Sequence, residues 1–370
     1  MNGSKNKSKF RIDFRILSIL SLIAAIPLLL GSWLLFKSYE SAHLEVVGNN
    51  LSESADMVLT QLNGHLQNQI IVVAGLNEVP VIREVVKKGN LDLAKNLEEV
   101  RKAIPAMESR WPSLDVNSPE LKAILDNQAS DFLRRYSAIE KSFREIMVTD
   151  YLGRLVAATG KTSDYYQADE DWWKESYGDG RRGSVYVGDI SYDASAGVYS
   201  IELAQPLVEP GGGVIGVIKV VLNAQDIHSL IGSIRIGPTT SAALIHAKGS
   251  VISAPGYSIL DQATYPGTLE ILNAREKGRR YFVSSASPAS IIGMTDTKTQ
   301  ENFRQQYPHL NWILVMTGPV DSFLGPLKQF RRYIMAFDIA IVLVSLVVTL
   351  ILSGVESRPV VEQDPHLERL

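Results

Sequence analysis

The chain has 370 residues, 45% of them hydrophobic, and its 37 Lys and Arg nearly balance 40 Asp and Glu to leave a net charge of −3. That balance, with no basic stripe interleaved with aromatics, excludes a nucleic-acid partner. The complete lack of cysteine excludes disulfides, thiol catalysis and Cys-ligated zinc or iron–sulfur centres.

Residues 1–15 carry Lys5, Lys7, Lys9, Arg11 and Arg15, and an uncharged apolar run extends from Ile16 to Phe36. A helix of this length, rising about 1.5 Å per residue, spans a bilayer core of about 30 Å. The bases before it, against Lys37 alone just after it, place the N-terminus in the cytoplasm. The run is longer than a usual secretory h-region and no small-residue cleavage pattern comes after it, so it reads as an uncleaved anchor.

Residues 37–143 read as a helical stalk. Leu44, Val47, Leu51, Ala55, Val58, Leu62, Leu66, Ile70 and Val73 fall three or four apart, a near-heptad stripe along one face. Such a stripe suits either a parallel homodimer or packing against the rest of the chain. Pro80 and the Gly89-Asn90 pair interrupt the pattern, and Pro105, Pro112 and Pro119 punctuate the later part of the stalk. A further amphipathic helix is expected from about Pro119 to Phe143.

The character then changes. Residues 145–159 read as strand, turn and strand, with the turn ending in Gly153. Short β-rich runs come next at Ser184–Ile190, Gly197–Ala204 and Val214–Val221, the last two joined through Glu209–Gly213. That glycine-rich turn leads into a strand and lacks a Lys-Ser/Thr after it, so it is not a phosphate loop. Residues 242–256 repeat the strand–turn–strand pattern, their turn glycine Gly249 standing 96 residues after Gly153, and Trp312–Thr317 supplies a closing strand. Two antiparallel units are expected, a membrane-distal one over 144–240 and a membrane-proximal one over 241–330. Few elements are assigned within 258–310.

A second apolar run, from about Tyr333 to Leu352, contains one acid, Asp338. It returns the chain to the cytoplasm and leaves residues 353–370 as a short tail. Asp338 reads as snorkelling or pairing with Arg331 or Arg332, the alternative being a helix–helix contact inside a dimer.

The order of span, long helix, two PAS-like units and span resembles the double Cache family, extracytoplasmic sensor domains of bacterial transmembrane receptors. Three motifs carry the resemblance: Asp150-Tyr-Leu-Gly-Arg-Leu-Val-Ala, Asp164-Tyr-Tyr-Gln-Ala-Asp-Glu-Asp-Trp-Trp173 and Val185-Tyr-Val-Gly-Asp-Ile-Ser-Tyr-Asp193. Pro206 with Gly213-Val-Ile-Gly216 completes the first unit. The resemblance covers about residues 38–330. It implies an α+β fold in which a long N-terminal helix carries two tandem PAS-like antiparallel-sheet units. It also implies that the distal unit holds a small ligand and that the proximal unit passes a displacement to the second span.

The densest group of functional side chains is Tyr165, Tyr166, Glu170, Trp172, Trp173, Tyr186, Asp189, Tyr192 and Asp193. Aromatic faces with a few carboxylates suit a small polar or cationic ligand. The competing reading makes the tryptophans core and the acids solvated loop; one of Trp172 and Trp173 is structural if the segment is extended. The family's amino-acid-binding branch places an Arg in this frame, where this chain has Glu170, and an acid on the strand after Gly213, where this chain has an apolar residue near Ile218. A Glu repels a carboxylate that an Arg would clamp, so a neutral or cationic ligand such as an amine is expected.

The six histidines are scattered and show no metal-binding spacing. No nucleophile elbow, Walker sequence or kinase signature occurs. No catalysis, metal or cofactor is therefore expected. The chain reads as a sensor of the bacterial inner (plasma) membrane with both termini cytoplasmic. It binds a small molecule outside, forms a homodimer, and signals through the second span to a cytoplasmic partner or a missing output domain. A membrane-anchored scaffold that binds protein instead of a metabolite is the alternative. An extracytoplasmic enzyme built on Glu170, Asp189 and Asp193 is the third reading.

Overall fold

The computed structural model describes residues 14–234, 239–285 and 287–356. Most of the expected cytoplasmic segments, 1–15 and 353–370, lies outside the described residues. The chain divides into two compact units, Gly48–Pro319 and one formed by the residues up to Val47 with those from Val320.

Helix α1 (Phe14–Asn77) contributes its C-terminal half to the larger unit. Leu51, Ala55, Val58, Leu62, Leu66 and Val73 of the heptad-like stripe are buried there. They pack within the chain. The Gly293 backbone lies so close to α1 that a Cβ would stand 2.4 Å from the Ser52 nitrogen. Gln205 Nε2 donates to the Ile70 carbonyl at 2.7 Å, and Gln67 Nε2 to the Tyr307 hydroxyl at 2.9 Å. Of the two roles open to the stripe, the intramolecular one is realised over residues 51–73.

Helix α2 (Pro80–Arg110) starts on Pro80, whose fixed φ and missing N–H suit a first helical position. Gly89-Asn90, expected as a break, lies inside α2. Gly89 lets Val156 approach, and Asn90 Nδ2 donates to the Ile215 carbonyl at 2.8 Å. The backbone departs from helix at Asn96 instead. The single helix expected from Pro119 is two, α3 (Pro119–Leu125) and α4 (Gln128–Ile139), because Asn127 turns the chain and caps α4 by accepting from Ser130 N.

The first sheet holds β1 (Phe143–Asp150), β2 (Leu155–Ala158), β3 (Tyr186–Val187), β4 (Ser191–Asp193), β5 (Val198–Val208) and β6 (Val214–Asn223). Helix α5 (Asp171–Tyr177) lies between β2 and β3, and α6 (Gln225–Ser233) comes after β6. The order is β2-β1-β6-β5-β3, with β4 beside β5. All its pairs are antiparallel. The β1–β2 turn is fastened by Asp150, which accepts from Leu152 N, Arg154 N and Arg154 Nε at 2.7–3.0 Å.

The second sheet holds β7 (Ser241–His246), β8 (Ser250–Ser253), β9 (Asp261–Thr264), β10 (Tyr281–Val283), β11 (Ser290–Asp296) and β12 (Trp312–Pro319). Helix α7 (Thr268–Glu276) precedes β10, and α8 (Glu301–Gln306) precedes β12. The order is β10-β11-β12-β7-β8-β9. Taken from β8 across to β10, it matches the first sheet strand for strand, with β9 added at the edge beyond β8. One face of this sheet is filled by Ala243, Ile245, Ile292, Met294, Ile313 and Val315, packed against Tyr265, Ile271 and Ala274.

The smaller unit comprises the N-terminal part of α1, α9 (Val320–Phe323) and α10 (Gly325–Glu356). Its helices are joined by Ser32 Oγ donating to Asp338 Oδ2 at 3.0 Å, by His43 Nε2 at 3.1 Å from the Phe323 carbonyl, and by Tyr39 against Phe330. Asp338 thus finds a hydroxyl on the facing helix, not Arg331 or Arg332 as expected. The Ser32 hydroxyl serves Oδ2 alone; Asp338 Oδ1 is buried without a partner among the described residues. The expected spans 16–36 and 333–352 fall in α1 and α10, where several side chains lie outside the described residues. Among the described residues no helix is long and apolar enough to cross a membrane.

Candidate functional site

Strand alternation builds the site. Glu145 and Met147 on β1, Lys219 on β6 and Glu202 on β5 project from one face of the first sheet. The register pairs Met147 with Lys219 and brings both Glu145 and Glu202 opposite Val221. Loop 159–170, α5 and the β4–β5 turn cover this face. They leave a cavity of 190 Å³ lined by Met147, Ser163, Asp164, Gln167, Glu170, Trp172, Asp193, Ala194, Ser195, Glu202 and Lys219. That is space for about six water molecules.

Four acids therefore face one base. Lys219 pairs with Glu202, and its ammonium stands 4.9 Å from the centre of the Trp172 ring. Asp193 accepts from Ser195 Oγ at 2.7 Å and from Ala196 N at 2.9 Å, which shapes the turn. Burial, then the nearby Asp164 carboxylate, raises the Glu170 carboxyl above its ordinary range. Glu145 lies beside the cavity under Ser195, whose Oγ stands 3.0 Å from Glu145 Oε2 and shares its one proton between this carboxyl and that of Asp193. Its Oε1 is buried and has no partner among the described residues. Burial pushes the Glu145 carboxyl up to about 7; the Ser195 hydrogen bond opposes the shift and Asp193 adds to it.

Three of the nine sequence-derived candidates, Glu170, Trp172 and Asp193, line this cavity. Trp173 is buried, donates Nε1–H to Thr149 Oγ1 at 2.9 Å and stacks on Tyr177. Tyr165 packs against Trp111, and the amides of Tyr165 and Tyr166 both donate to Glu108 Oε2. Tyr192 is 60% exposed, edge-on to Tyr199. Tyr186 and Asp189 face the second sheet. The Tyr186 ring lies 5.0 Å from that of His309, and His309 Nε2 is 2.9 Å from Glu175 Oε2. Asp189 accepts the Trp312 indole N–H at 2.6 Å and meets His246 Nε2 at 3.2 Å.

Sequence reasoning missed Glu145, Asp164, Glu202 and Lys219. Two of them carried a signal: Lys219 in GVIKVVL is a charge inside an otherwise apolar strand, and Glu145 in FREIMV, beside Arg144, is a charge at the head of an apolar run. On β6 the residue that enters the cavity is Lys219; Ile218 is buried on the opposite face.

One long helix carries two antiparallel sheets of one strand order. This is the fold that the sequence resemblance to the double Cache family implies. No family model and no curated protein matches the chain. Among solved structures it is similar to the ligand-binding domain of the Pseudomonas fluorescens chemoreceptor CtaA in complex with L-serine, at 15% identity and a TM-score of 0.44, over 75% of this chain and 99% of that one. It is also similar to the sensory domain of the Campylobacter jejuni chemoreceptor Tlp3 with isoleucine bound, at 14% identity and a TM-score of 0.48, over 77% and 97%. The Tlp3 ligand-binding domain in complex with L-valine gives 14% and 0.47 over the same shares. These likenesses concern fold alone; the ligand chemistry of this chain has to come from its own side chains.

Proposed function

We propose that the protein is a membrane-anchored sensor whose first, membrane-distal unit binds a small cationic ligand, an amine of a few heavy atoms, in the 190 Å³ cavity. The observation that carries this reading is the charge of the cavity wall. Asp164, Glu170, Asp193 and Glu202 face a single base that is already committed to Glu202 and to the Trp172 ring. An ammonium entering there gains carboxylate partners and an aromatic face. A ligand with its own carboxylate meets four like charges. Anchoring rests on the uncharged run 16–36 and the nearly uncharged run 333–352, and on the exposed apolar side chains that α1 and α10 carry there. Signalling proceeds through the second span to a cytoplasmic output domain or partner.

Calorimetric titration of the full chain in mild detergent against monoamines, diamines, α-amino acids and dicarboxylates tests the ligand class. A diamine or monoamine is expected to bind, with affinity reduced about tenfold by Glu170→Gln, the loss of one charge-assisted contact. Tight binding of an α-amino acid or dicarboxylate that Glu170→Ala abolishes would overturn the cationic reading. A flat response to the whole panel would favour the scaffold.

A further inference from the structure

A second, larger cavity opens elsewhere. It measures 430 Å³ and lies in the second-sheet region, walled by α1, the turn from α7 into β10, and the strands β11 and β12. Its charge is opposite in sign to that of the first: three arginines, Arg275, Arg279 and Arg280, stand against Asp56 and Asp296. Two of the guanidinium groups are committed. Arg275 Nε donates to Asp296 Oδ2 at 2.6 Å and its Nη2 to Asn311 Oδ1 at 3.3 Å, while Arg280 pairs with Asp56. Arg279, at the rim, has no side-chain partner among the described residues. The Thr295 hydroxyl also makes no hydrogen bond among the described residues, although Thr295 is only 8% exposed. Met294 and Ile313 border the cavity from the buried core of the second sheet.

We propose that this cavity is a second ligand site, for a small organic carboxylate. A guanidinium fork matches the two oxygens of a carboxylate, and Arg279 is the one fork left free among the described residues of the wall. The Thr295 hydroxyl donates a further hydrogen bond to the same anion. Asp56 and Asp296 neutralise their own arginines, so one positive charge remains for the anion to meet. The ion pair of Arg275 with the buried Asp296 holds that side of the wall in place before the ligand arrives, which lowers the cost of ordering it. The chain then reads two chemistries, a cation at the first sheet and an anion at the second.

The test is calorimetric titration of the full chain in mild detergent with acetate, lactate, succinate and inorganic phosphate, each at constant ionic strength. At least one carboxylate is expected to saturate. Arg279→Gln should weaken it about tenfold or more and Thr295→Val by less, while Glu170→Gln should leave it unchanged. Melting temperatures of the variants check that each is folded; Arg279 is exposed and unpaired among the described residues, and Thr295→Val is close to isosteric. Saturation by phosphate alone, no saturable carboxylate binding, or equal affinity in Arg279→Gln and the parent would each overturn the proposal. Loss of carboxylate binding in Glu170→Gln would instead place the ligand in the first cavity and overturn it as well.

Discussion

Glu145 stands with a buried oxygen that has no partner among the described residues, on a strand whose neighbouring inward residues are apolar. Its carboxyl, pushed to about 7 by burial, ties the protein's stability to pH. Between about 4.5 and 7 the folded chain keeps a proton that the unfolded chain releases, so stability falls as pH rises, and the penalty is complete above about 7. Replacing the carboxylate by a neutral amide removes that dependence. In urea titrations Glu145→Gln should be more stable than the parent at pH 8, by an amount on the order of 3 kcal/mol, with the difference vanishing near pH 4. Equal slopes of stability against pH in the two proteins would refute this account. The same proton bears on the ligand. A cation beside Glu145 favours its ionised form, so amine affinity should rise from pH 6 to 8 in the parent and much less in Glu145→Gln.

Among the elements, α1 decides how two copies of the chain could meet. Its heptad-like stripe is covered by the chain's own sheets, which leaves other faces to a homodimer. Met57 is 72% exposed and Ile71 65% exposed, two heptads apart on the uncovered side. Since the chain has no cysteine, a single Cys at either position gives a clean crosslinking experiment in membranes. Disulfide-linked dimers are expected from Met57→Cys or Ile71→Cys and not from Leu51→Cys. If neither exposed position crosslinks, α1 is not the dimer contact. Residue spacing identifies the buried face of α1 correctly but cannot say what buries it. In the same way Gly89-Asn90, a helix breaker by composition, is held inside α2 by Asn90's bonds to β6 and to the β1–β2 turn.

At the scale of the molecule, the helix-then-sheets architecture was legible in the sequence because strand–turn–strand recurs with glycine at the turn, Gly153 and Gly249. The stretch 258–310 was not legible. Its strands β9 and β10 are short and half exposed, and they become strands only by pairing with β8 and β11. The candidate site was partly legible for a related reason. Clustered aromatics and acids in a loop stand out, as Glu170, Trp172 and Asp193 did, whereas Glu202 and Lys219 come together only across β5 and β6.

The bonds from Asp189 to Trp312 and His246 join the segment just before the cavity's Asp193 to the second sheet. They also give the protein a spectroscopic use. The chain has five tryptophans. One, Trp172, forms the wall of the first cavity, and another, Trp312, is tethered to Asp189 at the far end of the same segment. Biosynthetic 5-fluorotryptophan would turn the five indoles into five fluorine resonances, each assignable by one Trp→Phe change. Titrating an amine should shift the Trp172 resonance through direct contact and the Trp312 resonance through the carboxylate that holds it, and leave Trp33 still. A Trp312 signal that ignores ligand while Trp172 responds would mean that filling the cavity is not felt at the second sheet.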